Sequence, residues 1–446
     1  MFERRSIDLL RKALDDLERG FDHLPPVDGD EGEMEQVLLE VSRRMRENYP
    51  YFHPLYAGQM LKPPHPIARA AYMLSLWINP NNHALDGGYA SSQMEKEAVA
   101  ELASLFGWRE HLGHLTGGGT MANMEALWVS GKLRKGEKVV ASEQAHYTHS
   151  RLSEVLGLDF RSIPCDRHLR MDIGELEELL RREEVGTVVA TIGTTGTGSV
   201  DPLPEILDLR RDYGFRLHAD AAYGGYFTLV DELDVETREA MDRLGEVDSI
   251  VIDPHKHGLQ PYGCGCVLFR DPGVGRFYRH DSPYTYFTSS DLHLGEISLE
   301  CSRPGASAVA LWATQRLLPL ERGGEFSADL TKCREAALDL YGRIEAHPDM
   351  RTILPPELDI VVFAPEGEKA SEISDRSRRW FKEAEENDLN LAAFKLPSSY
   401  LEEVWPEVEF DRPDVTCLRS CLMKPEHLDW MDRIWERLVG SLPEAP

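Results

Sequence analysis

The amino-acid sequence predicts an α/β protein, with a large domain built on a mostly parallel sheet and a smaller α+β domain at the C-terminal end. Its 446 residues are enough for two domains. Between residues 66 and 320, short runs rich in β-branched residues alternate with segments of helical period, a pattern that favours a parallel sheet. After residue 320 the order of helices and strands changes. We therefore predict an N-terminal helical segment (1–65), a large domain (66–320) and a small domain (321–446).

The elements can be followed along the chain. Residues 1–20 have the pattern of an amphipathic helix, and a Pro/Gly/acid-rich stretch (24–33) separates this helix from the rest of the chain. The predicted strands of the large domain are 138–142, 186–193, 215–220, 248–253 and 264–270, with helices at 171–184 and 202–214. The small domain has predicted helices at 326–347 and 370–387, and predicted strands at 359–365, 389–396 and 415–423.

Composition excludes several classes of function. The net charge of −28 repels phosphate backbones and anionic membranes, so we expect no nucleic-acid partner and no membrane partner. No stretch approaches the roughly 18 apolar residues of a membrane span, and the N-terminal stretch lacks the apolar segment of a secretory signal. The seven cysteines show no paired C-x-x-C spacing. We therefore expect no metal and a reducing, cytoplasmic compartment.

Polar residues follow three neighbouring strand-like runs, and in a parallel sheet ligands bind at these carboxyl ends. The run 186–192 leads into a Thr/Gly loop (193–201), the run 215–219 ends at Asp220, and the run 248–252 leads to Lys256. A fourth element (115–133) is a glycine-rich turn that opens a helix, where free N–H groups can bind phosphate.

Each piece has a plain structural alternative. The glycine turn could serve turn geometry alone, Asp220 could be a helix cap or turn residue, and Lys256 could be a surface charge. The glycine spacing matches neither the dinucleotide nor the nucleoside-triphosphate motif. Together, a phosphate cradle, a carboxylate and a lysine fit pyridoxal phosphate: the lysine forms a Schiff base, and the carboxylate keeps the ring nitrogen protonated.

Several segments, in order, resemble the group II pyridoxal-phosphate-dependent amino-acid decarboxylases, with a pattern nearest to microbial tyrosine and aspartate decarboxylases. These segments are "HPLYAGQM" (53–60), "SEQAHYTHSR" (142–151), "ATIGTTGTGSVD" (190–201), "LHADAAYGGYF" (217–227), "DPHKHG" (253–258) and "SLECSRPGASA" (298–308). The similarity runs from about residue 50 to 425. It implies the aspartate-aminotransferase-like architecture (fold type I), with a seven-stranded, mostly parallel sheet in the large domain.

The resemblance also implies roles for residues. Lys256 would form the Schiff base, Asp220 would pair with the pyridine nitrogen, and His146 would stack on the ring face opposite Ala222. Without the resemblance, His146 would be a satisfied core histidine. The other implied contacts, to the phosphate and the edge of the cofactor, are Gly119, Thr120, His255 and Thr195.

The resemblance is less direct about the residues that bind the substrate or protonate it. A tyrosine on the polar, aromatic loop 278–293 would return a proton to the substrate, and Tyr284 is favoured over Tyr286 by its "PY" context. Arg419 suits a substrate carboxylate or, equally, a structural ion pair. His53 and Tyr56 are candidates for the substrate pocket, with dimer packing as their alternative.

The function implied is decarboxylation of an L-amino acid to an amine and carbon dioxide. Two other enzyme classes stay open: a carbon–carbon lyase of the sphingosine-phosphate lyase type, and an aminotransferase. A cofactor-binding protein without catalysis is disfavoured, because Lys256 and Asp220 are both present. The family is typically a homodimer with sites at the interface, and we expect residues 1–60 to pack on the partner subunit.

Overall fold

The computed structural model describes residues 4–24, 34–279 and 292–444. The helices of these ranges are α1 (Arg5–Arg19), α2 (Met34–Met45), α3 (Pro66–Ser75), α4 (Leu85–Ser104), α5 (Gly119–Leu133), α6 (Thr148–Leu156), α7 (Ile173–Arg182), α8 (Leu203–Tyr213), α9 (Val235–Asp242), α10 (Gly305–Leu317), α11 (Glu325–Glu345), α12 (Ala370–Glu386), α13 (Glu426–Asp429) and α14 (Met431–Gly440). The strands are β1 (Leu112–Thr116), β2 (Lys138–Ser142), β3 (Phe160–Ile163), β4 (Val185–Thr191), β5 (Arg216–Asp220), β6 (Ser249–Ile252), β7 (Gly265–Phe269), β8 (Met350–Thr352), β9 (Ile360–Pro365), β10 (Ala392–Pro397) and β11 (Asp414–Cys421).

The larger sheet has seven strands in the order β1-β7-β6-β5-β4-β2-β3. Strand β7 runs antiparallel to both of its neighbours, and the remaining pairs are parallel. The prediction of a seven-stranded, mostly parallel sheet is therefore confirmed. Every residue of the interior strand β4 is buried, because helices cover both faces of a parallel sheet.

The topology brings several chain segments to one edge of this sheet. Strands β4, β5 and β6 are parallel, so their carboxyl ends lie together. Strand β1 pairs with the antiparallel β7, so β1 runs in the same direction as β6 and also ends at this edge. The antiparallel β7 begins there. The edge therefore collects the loops that follow β1, β4, β5 and β6.

A second sheet, with the order β10-β11-β9-β8, is antiparallel throughout and belongs to the C-terminal part of the chain. A segment from the N-terminal part is attached to it, because the Ala57 N–H donates to the Asn390 carbonyl and the Ala57 carbonyl accepts from the Cys421 N–H. The predicted boundaries at residues 65 and 320 stay predictions. None of the helices in the described ranges is both long and apolar enough to span a bilayer.

Candidate active site

A cavity of about 530 Å³ opens at the edge of the larger sheet where the four strand ends meet. Every residue that the sequence predicted to contact the cofactor lines this cavity: Gly119, Thr120, His146, Thr195, Asp220, Ala222, His255 and Lys256. These residues come from chain segments far apart in sequence, and the sheet topology brings them together. Their individual roles stay predictions.

The glycine turn between β1 and α5 leaves a helix N-terminus open to the cavity. Gly118 has φ +146°, a conformation that side chains rarely adopt, and no side chain caps the helix. A Cβ on Gly119 would lie 2.5 Å from the Asp253 Oδ2. The chain therefore presents free N–H groups and the positive end of a 15-residue helix, an arrangement that binds phosphate.

Lys256 lies in the loop after β6 and reaches the same cavity from the other side. Its Nζ is 3.3 Å from the Asp253 Oδ2, and its side chain is 21% exposed. The Asp253 Oδ1 is buried and has no hydrogen-bond partner among the residues that the structure describes. A single carboxylate thus positions the amine. Sequence reasoning passed over Asp253, although it begins the "DPHKHG" segment.

Asp220 ends β5 and is almost fully buried. Its Oδ2 accepts from the His149 Nε2 at 2.8 Å and from the Asn123 Nδ2 at 3.3 Å. Its Oδ1 accepts from the Ala222 N–H at 3.2 Å. Burial alone would raise the pKa of Asp220, but the hydrogen bond from His149 and the charges of His149 and Lys256 outweigh burial and lower it. The carboxylate is therefore ionised at neutral pH.

A buried hydrogen-bond chain continues from Asp220 into the sheet. The His218 Nε2 is 2.8 Å from the Asn123 Oδ1, and the His218 Nδ1 is 2.9 Å from the Ser249 Oγ. Burial lowers the pKa of His218 to about 3, so this ring is neutral. An amide oxygen only accepts, so the Nε2 carries the proton and the Nδ1 accepts from the serine hydroxyl. With the protons placed in this way, the Asn123 Nδ2 group donates its hydrogen bond to Asp220.

His146 precedes α6 and is half-buried at the cavity. Its Nδ1 is 2.9 Å from the Thr148 Oγ1, and burial lowers the pKa of the ring, a shift that the charge of Asp220 only partly opposes. A neutral, held imidazole offers a flat face to an aromatic ligand.

The predicted substrate residues lie outside the cavity lining of this single chain. The Arg419 Nη1 donates to the Thr195 carbonyl at 2.7 Å, which joins the small-domain strand β11 to the Thr/Gly loop. The Arg419 Nε is buried without a partner in the described ranges. His53 packs edge-on against Trp430, with ring centroids 4.9 Å apart.

Tyr56 is buried, and its carbonyl accepts from the Lys424 Nζ at 2.6 Å. It therefore packs between the N-terminal segment and the small domain. The two candidate lid tyrosines, Tyr284 and Tyr286, fall within residues 280–291 and so lie outside the described residues.

His257, the residue after Lys256, does not line the cavity. Its Nε2 is 3.3 Å from the Asp359 Oδ2, and the Tyr223 hydroxyl donates to the Asp359 Oδ1 at 2.6 Å. Burial raises the pKa of Asp359 to about 6, although the Tyr223 bond opposes that shift. His257 thus connects the lysine loop to the small domain.

The residues present fit pyridoxal phosphate. An uncapped helix N-terminus suits its phosphate, an ionised buried carboxylate suits its ring nitrogen, and the Lys256 amine suits its aldehyde. The three groups line one cavity, so a single molecule can reach all of them.

Comparisons with known proteins agree with this fit. A family model described as "Pyridoxal-dependent decarboxylase conserved domain" matches residues 30–365. An L-aspartate decarboxylase of Thermococcus kodakarensis is 30% identical over 373 residues, covering 83% of this chain and 94% of that protein. An L-tyrosine decarboxylase of Enterococcus faecium is 30% identical, covering 65% of this chain and 64% of that protein. The crystal structure of mouse CSAD has the same fold, with a TM-score of 0.79 at 19% identity, over 98% of this chain and 92% of that one.

Proposed function

Because the chain belongs to the pyridoxal-dependent decarboxylase family, we propose that the cavity between Lys256, Asp220 and the N-terminus of α5 is its active site. The protein is a pyridoxal-phosphate-dependent amino-acid decarboxylase. The observation that carries the site assignment is that an amine, a buried ionised carboxylate and an open helix N-terminus line one cavity.

Each group has a task in the proposed mechanism. When bound, the cofactor supplies an aldehyde that takes up an amino group and a protonated ring that accepts the electron pair left by the departing carboxylate. Asp253 positions the Lys256 amine, because the Asp253 Oδ2 lies 3.3 Å from the Lys256 Nζ. Asp220 keeps a proton on the ring nitrogen, because it stays ionised in a buried setting. Gly119, Thr120 and His255 bind the phosphate.

His146 lies against the ring in this proposal, and Thr195 at its edge. The acid that returns a proton to the substrate carbon is proposed to be Tyr284, on the basis of the sequence resemblance alone. In this mechanism the cavity residues bind the charged groups of the cofactor, and the proton is returned by Tyr284, which lies outside the described residues.

We propose an acidic amino acid, L-aspartate, as the substrate. The name of the Thermococcus kodakarensis relative, which spans most of this chain, supports this choice. Every amino-acid substrate carries an α-carboxylate, and Arg419, one hydrogen bond from the cavity through the Thr195 carbonyl, is the cation proposed to bind it. The name of the Enterococcus relative makes L-tyrosine the competing substrate.

A carbon dioxide release screen tests this proposal. The purified enzyme is supplied with each of the twenty amino acids, and with cysteine sulfinate, dopa and diaminobutyrate, at equal concentration. We expect the fastest release from L-aspartate. Faster release from L-tyrosine would refute the proposal of an acidic substrate but would leave the assignment of the reaction, decarboxylation, in place. An oxo-acid product without carbon dioxide would point to the aminotransferase.

Replacing Arg419 by lysine should raise KM for the substrate by about 10- to 100-fold with a much smaller change in kcat, because a lysine cannot reproduce the bidentate contact that we propose between the guanidinium and the substrate carboxylate. The control is Arg378→Lys, since Arg378 lies on α12 and donates to the Thr416 hydroxyl. Steady-state kinetics with the preferred amino acid give both constants. A fall in kcat with KM unchanged would assign Arg419 to the structure of the Thr/Gly loop alone.

We propose a homodimer in which helix α2 of the N-terminal segment packs on the partner subunit, whereas Tyr56 and Ala57 at the end of that segment pack on the small domain of the same chain. Helix α2 has no buried residue within this chain. Its apolar side chains are at least half exposed: Met34, Val37, Leu38, Leu39, Val41 and Met45. A contiguous exposed apolar surface of this kind favours an interface, and a monomeric mass in solution would contradict it.

All seven cysteines are free thiols, which supports a reducing, cytoplasmic location.

A further inference from the structure

A second histidine of the "SEQAHYTHSR" segment makes a closer contact with the site's carboxylate than the first. His149 lies in the first turn of α6, three residues beyond His146. Its Nε2 is 2.8 Å from the Asp220 Oδ2, and its ring is fully buried. The two histidines therefore have different surroundings: His146 lines the cavity, and His149 lies behind the carboxylate.

The direction of this hydrogen bond follows from chemistry. An ionised carboxylate only accepts, so the His149 Nε2 carries the proton and donates it. The other ring nitrogen, Nδ1, is buried and has no hydrogen-bond partner among the described residues. Asp220 is thus the one hydrogen-bonding contact of this ring in the described structure.

The other donors to Asp220 are weaker. Asn123 donates at 3.3 Å and the Ala222 N–H at 3.2 Å, and both donors are neutral. The His149 bond, at 2.8 Å, is the shortest of the three, and shorter hydrogen bonds to an ionised acceptor are stronger. In a buried position, loss of the His149 bond would leave burial as the dominant influence and would raise the pKa of Asp220.

We propose that His149 is a positioning residue: it keeps Asp220 ionised and fixes the orientation of its carboxylate toward the ring nitrogen of the cofactor. The inference rests on the proposed role of Asp220 and deepens it. The titratable and charged groups around Asp220 are His149 of α6, His146 before α6, His218 of β5, and Lys256 of the lysine loop, whose own partner is Asp253. His218 is neutral, so it does not compensate for the loss of His149.

Two variants distinguish the contribution of the His149 N–H donor from that of its flat ring. His149→Gln keeps a neutral N–H donor on a side chain of similar reach, and His149→Phe keeps a flat ring without a donor. The matched control is His114→Phe. The His114 Nε2 lies 3.0 Å from the Glu125 Oε2 in an equally buried pair, on β1 and α5, away from Asp220 and outside the cavity lining.

The first readout is cofactor binding to the apoenzyme. We expect His149→Phe to bind pyridoxal phosphate about 10- to 100-fold more weakly, the size of one lost charge-assisted hydrogen bond, and His149→Gln to fall between it and the wild type. Affinity for a carbocyclic analogue that lacks the ring nitrogen should be the same in all three. Equal weakening for both ligands would reduce His149 to a structural residue and overturn the inference.

The second readout is the protonation of the ring nitrogen, followed by the nitrogen chemical shift of ¹⁵N-labelled cofactor in the holoenzyme. The folded-state pKa of Asp220 is lowered, so its charge persists as pH falls; without His149 that pKa rises and the charge is lost at a higher pH. We expect the acid limb of kcat/KM to move to higher pH in His149→Phe, because the Asp220 charge is lost earlier as pH falls. The ring nitrogen, held protonated by that charge, should give a signal shifted toward its unprotonated form at a given pH. Both readouts should stay in place in His114→Phe.

The two proposals fail in different ways. If Asp220→Asn leaves the ring-nitrogen signal unchanged, the proposed role of Asp220 is wrong. If Asp220→Asn changes the signal and His149→Phe does not, the role of Asp220 stands and that of His149 is refuted. Thermal unfolding of each variant identifies one that fails to fold, and His149→Gln then carries the test.

Discussion

Replacing Lys256 by alanine is expected to abolish decarboxylation, with kcat lower by about 10⁵-fold or more, as found when a catalytic nucleophile is removed. The same change should remove the visible absorbance of bound cofactor, because the amine that holds its aldehyde is gone. The fold should persist, since the Lys256 side chain is 21% exposed and Asp253 is its one ion-pair partner in the described structure.

Borohydride reduction gives the direct measurement. In the wild type, reduction should fix the cofactor covalently to the peptide that contains Lys256, as a mass increase on that peptide. The control is Lys138→Ala, since Lys138 also forms an ion pair, 2.8 Å from the Asp159 Oδ2, but outside the cavity. A reduced adduct on any other lysine, or a Lys256→Ala variant that keeps its absorbance, would refute the site assignment.

The second large effect is expected from Asp220→Asn. We expect kcat to fall by about 10³- to 10⁴-fold, as for the loss of a group that stabilises developing charge in a water-excluded site. An amide cannot carry the charge that keeps the ring nitrogen protonated. It also presents an N–H₂ group where either His149 and Asn123 or the Ala222 N–H now donate, so donors would face each other.

A second buried aspartate supplies the control. Asp201 is fully buried and accepts from the Met171 and Thr191 N–H groups, at 2.7 Å each, and it does not line the cavity. Asp201→Asn should lower the free energy of unfolding and leave the spectrum of bound cofactor unchanged. If Asp220→Asn instead turned over at the wild-type rate, the charge of Asp220 would not matter for the reaction.

Strands β2, β4 and β6 were predictable because burial on both faces gives them runs rich in β-branched residues. Strands β2 and β4–β7 lie within about two residues of their predicted ranges. Strand β1 was missed, since "LGHLT" mixes glycine and histidine with few β-branched residues. Strand β3 was missed because it is a four-residue edge strand with two exposed side chains, which leaves no clear pattern.

The strand-end rule found the cavity residues but not the groups that support them. Lys256 and Asp220 both follow strands, so their meeting at one edge could be inferred. His149 is 71 residues from Asp220, and Asn123 is 97 residues from it. Those contacts depend on how α5 and α6 pack on the sheet. The spacing of His146 and His149, nearly one helical turn, was the available signal.

The close approach of the glycine turn to the lysine loop has a consequence for engineering this enzyme. A Cβ on Gly119 would meet the Asp253 carboxylate, and a Cβ on Gly265 would lie 2.7 Å from the Gly118 Cα. These loops are far apart in the sequence, yet their atoms are in van der Waals contact. A mutant library that diversifies either loop alone will mostly return inactive clones, so directed evolution of the pocket should randomise both loops together or hold both fixed.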